Sequence, residues 1–201
     1  MTSPQETTGN LQRRYAVFIS YRHTDNKDLG RQWATWLHQA LETYEIPKDL
    51  AGGKNNSGET IPSSLYPVFR DEEELSANAD LKQSIYRALE NTSLLVVICS
   101  PGAVQSKYVA DEIRYFKQIG KSSRILALMI EGEPNASGGT AKELECLPEP
   151  LRFGVPREDG TIDWTARVTD PILADTRPEG KPLQGWTTGA AYREKLERTE
   201  K

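Results

Sequence analysis

A chain of 201 residues fits one globular domain plus a remainder, and such a domain buries roughly 70% of its unfolded surface, enough to fold without metal or disulfide staples. Its 25 Lys+Arg against 29 Asp+Glu leave a net charge of −4 with no basic block, so a nucleic-acid partner is disfavoured. The longest apolar stretch, residues 94–99, is too short to span a bilayer, and the first ten residues are polar with no apolar run, so no signal peptide, no membrane partner and a cytoplasmic location are expected.

The pattern begins with a β-rich run, Tyr15–Ser20. Leu29, Trp33, Leu37, Leu41 and Tyr44 then recur at helical spacing, which predicts a helix starting at Asp25 or Asn26 and ended by Pro47. Residues 48–64 are rich in Gly, Asn, Ser and Pro and read as a surface loop. Residues 65–69 read as a second strand, and Pro67 inside it predicts an edge position. An acidic loop at 70–79 leads to a helix capped by Asp80, with Leu81, Ile85 and Leu89 facing inward. Residues 94–99 follow as the most apolar strand. Strands buried on both faces read as continuous runs, so it is expected at the sheet centre.

Ser106 caps the next predicted helix, which runs to Gly120 on a stripe of Val109, Ile113 and Phe116. Residues 124–130 make a fourth strand, and a further short strand is predicted near 151–155. Pro134, Pro148, Pro150 and Pro156 exclude any long element in this stretch. No core signal is found from Thr169 to Gly185, and residues 188–198 read as a short amphiphilic helix with Tyr192 and Leu196. The organisation expected is a polar segment at 1–12, a domain at 13–165, and a connector with a short helix at 166–201. Alternation of strands and helices indicates an α/β fold, a flavodoxin-like three-layer sandwich around a parallel sheet of about five strands. Cys99 and Cys146 lack CxxC or Cys/His spacing, so no metal site is expected and a reduced setting is favoured.

In open parallel sheets ligands gather beyond the carboxyl ends of the strands. The residues there are Ser20, Tyr21, Arg22 and His23 after the first strand, Arg70 and Asp71 after the second, and Ser100, Pro101 and Gly102 after the third. Tyr108, Glu112 and Tyr115 form a second stripe on the helix after the third strand, which would flank one carboxylate with two aromatic rings. A partly desolvated carboxylate is a candidate acid or base, although a half-exposed helix face produces the same pattern. No G-x-G-x-x-G follows the first strand, and neither a P-loop nor a G-x-S-x-G elbow is present, so hydride transfer on a Rossmann site, P-loop phosphoryl transfer and elbow-type hydrolysis are unsupported. A phospho-accepting receiver domain requires acidic residues where this chain has Ser20-Tyr21-Arg22 and Ser100.

Four segments in order, FISYR (18–22), VFRD (68–71) with Glu74 and Leu75, VICSPG (97–102) and SKYVADEI (106–113), together resemble a bacterial TIR (Toll/interleukin-1 receptor) domain over about residues 13–165. The resemblance implies an NAD+ nucleosidase that releases nicotinamide and ADP-ribose or a cyclic isomer, with NAD+ as substrate and no cofactor. Glu112 takes the catalytic role, and Tyr108 stands where the family usually has Trp. Ser20, Tyr21, Arg22, Arg70, Asp71, Ser100 and Tyr108 are the expected substrate-binding residues. Ser76 to Asn78 replace a glycine frequent in the family's loop. Self-association through TIR–TIR contacts, a fused or partnered sensor or effector, and bacterial immune signalling of the anti-phage type are implied as well. The alternative is a non-enzymatic TIR scaffold.

Overall fold

The computed structural model describes residues 14–27, 32–55, 58–70, 79–169 and 171–176. The N-terminal segment 1–12, Leu29, the acidic loop with Asp71, and the helix expected at 188–198 lie outside the described residues.

Strands β1 (Tyr15–Ser20), β2 (Val68–Arg70), β3 (Thr92–Cys99), β4 (Ile125–Met129) and β7 (Leu173–Asp175) form a five-stranded sheet in the order β2-β1-β3-β4-β7, every pairing parallel. Counted within this sheet the order is 2-1-3-4-5, the flavodoxin-like arrangement, whose topological switch point lies between β1 and β3. The period of two along a strand divides the core. Phe18, Leu95, Val97 and Cys99 pack on one face with helices α2 (Ala79–Glu90) and α4 (Lys107–Gln118), while Val17, Ile19, Val96 and Ile98 pack on the other with α1 (Trp33–Thr43). β3 is buried on both faces at the sheet centre, as its unbroken apolar run requires.

Ser106 caps α4 by accepting the Val109 amide at 3.4 Å. The helix closes at Gly120, whose φ of +80° lets its amide reach the Lys117 carbonyl at 3.0 Å while the Lys121 amide reaches Phe116 at 3.2 Å. Val109, Ile113 and Phe116 are fully buried on it, and each such side chain contributes roughly 1.5–3 kcal/mol by leaving water.

Several boundaries differ from the sequence expectation for identifiable reasons. α1 starts at Trp33 rather than Asp25 or Asn26, because residues 23–26 form a 3₁₀ turn and the Asn26 carboxamide turns back to accept the Ala34 and Thr35 amides at 3.0 and 3.3 Å. Tyr44 sits at its extended C-cap, largely exposed. β2 is shifted to Val68–Arg70; it is an edge strand, in keeping with Pro67, and the Pro67 carbonyl still accepts the Ala16 amide. α2 begins one residue before Asp80. Pro101 to Val104 form a one-turn helix, α3, rather than a loop.

The fifth strand is the main correction. The segment near 151–155 becomes a short helix α5 (Glu149–Arg152) and a strand β5 (Phe153–Pro156) that pairs antiparallel with β6 (Ile162–Arg167), outside the main sheet. The sheet is instead completed by β7, within the stretch where the sequence carries no core signal. Backbone bonds hold β7 there: Ala127 N–H donates to the Ile172 carbonyl at 2.8 Å, and Thr176 donates both its amide and its hydroxyl to the Met129 carbonyl. Among the described residues no helix is long and apolar enough to cross a membrane.

Candidate active site

Ser20 is the last residue of β1, and strand alternation turns it to the Phe18 face, toward α4. Glu112 lies three residues after Val109 and four before Phe116, so it points inward with that buried stripe. The two side chains meet: the Ser20 hydroxyl donates to Glu112 Oε2 at 2.5 Å, with Ser20 1% and Glu112 8% exposed. A carboxylate is thus held at the carboxyl end of the sheet, under the switch point, with its orientation fixed by a strand rather than by a loop.

The next links run along the rim. Ser100 caps α3, accepting the Ala103 amide at 2.9 Å, and its hydroxyl donates to the Asp25 carboxylate. Asp25 also stands 4.0 Å from the Arg22 guanidinium. Arg22 passes over Gly102 so closely that a Cβ there would lie 2.2 Å from Arg22 Nη1, which makes the missing side chain a condition of the arrangement. The Tyr21 and His23 rings lie 4.9 Å apart at a 48° tilt. Arg70, ending β2, donates to Thr35 Oγ1 at 2.6 Å, and the same oxygen accepts Asn26 Nδ2 at 3.0 Å. Loops after β1 and β3 are joined through Asp25, and β2 is joined to α1 through Thr35.

The model of the Thoeris protein ThsB TIR-like domain matches residues 18–135, more than half of the chain. The chain belongs to that family. All eight candidate residues lie inside the matched stretch. Over 120 residues the chain is 28% identical to the NAD(+) hydrolase ApTIR of Actinoplanes sp. strain SE50/110, an alignment covering 60% of this chain and 14% of that protein. The chain therefore spans about one-seventh of that curated relative. Among solved structures it is similar to the TIR domains of the activated Roq1 resistosome bound to the effector XopQ, at 18% identity and a TM-score of 0.41 over 61% of each chain.

Within this TIR-like domain the aromatic stripe on α4 divides. Tyr108 is 68% exposed. Tyr115 does not flank Glu112 as expected: its ring stacks on Tyr86 at 4.1 Å and 6°, and its hydroxyl bonds to the Glu90 carboxylate, which pushes the phenol up to about 12. The expectation of a carboxylate between two rings is corrected to a carboxylate buried beneath α4 and bonded to Ser20. The reason is helical phase, since Glu112 shares its face with Val109 and Phe116. Asp25, Asn26 and Thr35 were not singled out in the sequence as site residues, yet they tie the rim together. The one signal for them was their position just beyond β1, where a helix start was expected instead.

The loop after β4 closes the neighbourhood. Glu145, 3% exposed, accepts the Asn135, Ser137 and Leu147 amides and the Ser137 hydroxyl. Burial pushes its carboxyl up, but these bonds and Arg152 at 3.6 Å outweigh that and hold it below its ordinary 4.5. Gly132, at φ +91°, lets this loop approach Pro101 of α3, with a Cβ position only 2.9 Å from Pro101 Cγ.

Proposed function

We propose that this TIR-like domain cleaves NAD+ between nicotinamide and ribose, with Glu112 as the catalytic carboxylate. The observation that carries the reading is the buried Ser20–Glu112 pair at the switch point of the sheet. The 28% identity to a protein named NAD(+) hydrolase supports it. In the reaction the C–N bond breaks with its electron pair going to nicotinamide, which departs neutral, so no strong general acid is needed. Positive charge then builds on the ribose, and a fixed carboxylate stabilises it and can hold the sugar hydroxyls. Water adding to that carbon and losing a proton gives ADP-ribose, while attack by the adenine of the same molecule gives a cyclic product.

Tyr108, with its ring exposed on α4, stacks on a ring of the substrate, and Arg22 and Arg70 supply cations for the diphosphate. Ser20 orients Glu112, Ser100 and Tyr21 complete the wall, and Asp71 belongs to the same set through the family resemblance. The domain works by TIR–TIR self-association, coupled to a fused or partnered sensor or effector, in bacterial defence signalling within the cytoplasm.

The test is nicotinamide release by purified protein across a wide concentration series. The wild type releases nicotinamide with a specific activity that rises with concentration, and Glu112→Gln lowers turnover by about 10² or more, the loss typical of a preorganised electrostatic group. Wild-type-like release by folded Glu112→Gln overturns the assignment. A wild type that stays inert at every concentration favours the scaffold reading.

A further inference from the structure

We propose that Asp25 is a positioning residue of the candidate active site, holding the Arg22 guanidinium over Gly102 so that it meets the diphosphate of the substrate. This rests on the reading of the site as one that takes NAD+, and it gives a role to a residue outside the eight candidates. Both carboxylate oxygens of Asp25 face groups of the rim. Oδ2 accepts the Ser100 hydroxyl, and Ser100 is itself fixed as the cap of α3, accepting the Ala103 amide at 2.9 Å. Oδ1 lies 4.0 Å from Arg22 Nη1. Asp25 thus ties a residue that follows β1 to one that follows β3, the strands on either side of the switch point.

Gly102 supplies the space. A Cβ there would stand 2.2 Å from Arg22 Nη1, 3.0 Å from Arg22 Cδ and 3.0 Å from Asp25 Oδ1, so the pair fills the volume of the missing side chain. The Asp25 side chain is 17% exposed and that of Arg22 39%, so the anchor is shielded while the guanidinium reaches solvent. At 4.0 Å the carboxylate attracts the guanidinium without a hydrogen bond, and among the described residues Arg22 has no other hydrogen-bond or ion-pair partner. An arginine held in place with its donors open suits a ligand with several charged acceptor oxygens, and a diphosphate is one.

Asp25 acts on such a ligand in two opposed ways. A freely rotating arginine loses up to about thirtyfold in affinity when a ligand freezes it, and a neighbour that already narrows its motion removes part of that loss. The Asp25 charge also repels the diphosphate, but at a solvated rim by only about two- to fourfold. Ordering outweighs repulsion, so removing the charge weakens binding. A residue that served stability alone would leave affinity for the diphosphate unchanged, or raise it.

The experiment titrates the full chain calorimetrically with ADP-ribose and with adenosine, which lacks the diphosphate, so that nothing depends on turnover. Asp25→Asn keeps an oxygen for the Ser100 hydroxyl but removes the charge. It is expected to weaken ADP-ribose about five- to tenfold while adenosine changes less than about twofold. In an Arg22→Gln background the same substitution is expected to cause no loss, because the residue it acts through is gone. Should Asp25→Asn fail to fold, Ser100→Ala, which frees the anchored oxygen, takes its place in the same cycle. ADP-ribose binding unchanged or tightened by Asp25→Asn, an equal loss of adenosine, an equal loss with and without Arg22, or a native chain that does not bind ADP-ribose at about 5 mM each overturns the proposal. Nicotinamide release is read separately. Where it occurs, Asp25→Asn raises KM by the same factor with kcat within about twofold, and a fall in kcat at unchanged KM overturns the positioning role. Where it does not occur, the cleavage reading fails and the binding cycle still decides on Asp25.

Discussion

Ser20→Ala removes the hydroxyl that donates to Glu112 Oε2 at 2.5 Å and leaves a carboxylate only 8% exposed with one fewer donor. A hydrogen bond to a charged group is worth about 1.5–3 kcal/mol, and little solvent reaches the pair to replace it. For a domain of this size each kcal/mol shifts Tm by roughly 2–4 °C, so Ser20→Ala should lower Tm by about 3–12 °C. The decisive form is a double-mutant cycle with Glu112→Gln. That substitution turns a charge-assisted bond into a neutral one, so the two changes should couple by about 1 kcal/mol, the difference between the two kinds of bond. Urea denaturation of the four proteins at pH 7 measures it. Losses that add to within about 0.5 kcal/mol would mean that the hydroxyl and the carboxylate do not interact, and the site geometry built on them would fall. If Glu112 carries the chemistry, Ser20→Ala also lowers kcat by up to about 10² with KM little changed, since the reacting carboxylate is misplaced while the remaining binding groups stay.

Gly102→Ala sets a methyl 2.2 Å from Arg22 Nη1, so the guanidinium must swing aside; stability should change by less than about 1 kcal/mol while KM for NAD+ rises, and an unchanged KM would remove Arg22 from the binding set. Lys117 is drawn by burial from 10.5 to about 8. Between those values the unfolded chain keeps a proton that the folded chain has released, so this group makes stability rise as pH increases through that window, and Lys117→Met should flatten the slope in denaturation curves taken at pH 7, 8, 9 and 10. Deleting residues 180–201 spares β7 and should leave Tm within a few degrees, whereas deleting everything after residue 169 removes the strand that pairs with Ala127 to Met129 and should lower Tm well beyond that, as differential scanning calorimetry would record.

What the sequence determined by itself follows from short-range chemistry. The β-rich apolar run of residues 15–20 and the unbroken apolar run of β3 specify strands and burial, and the Ser106 cap with Gly120 bounds α4 within a residue or two. With β1, β3 and α4 located, the rim residues at the strand ends could be read from the sequence, but the burial of Glu112 against Ser20 could not. The tertiary structure decided the rest. β7 has one large apolar residue in three and is recruited by backbone bonds to β4, a pairing with no side-chain signature. Asn26 reads as a helix start, yet it is a remote cap, because Asp25 beside it is claimed by Ser100, 75 residues away in the chain. Tyr115 has the spacing to flank Glu112 but stacks on Tyr86 of α2. In each case the partner lies far away along the chain, and it is chosen by distances across the fold, which no window of sequence contains.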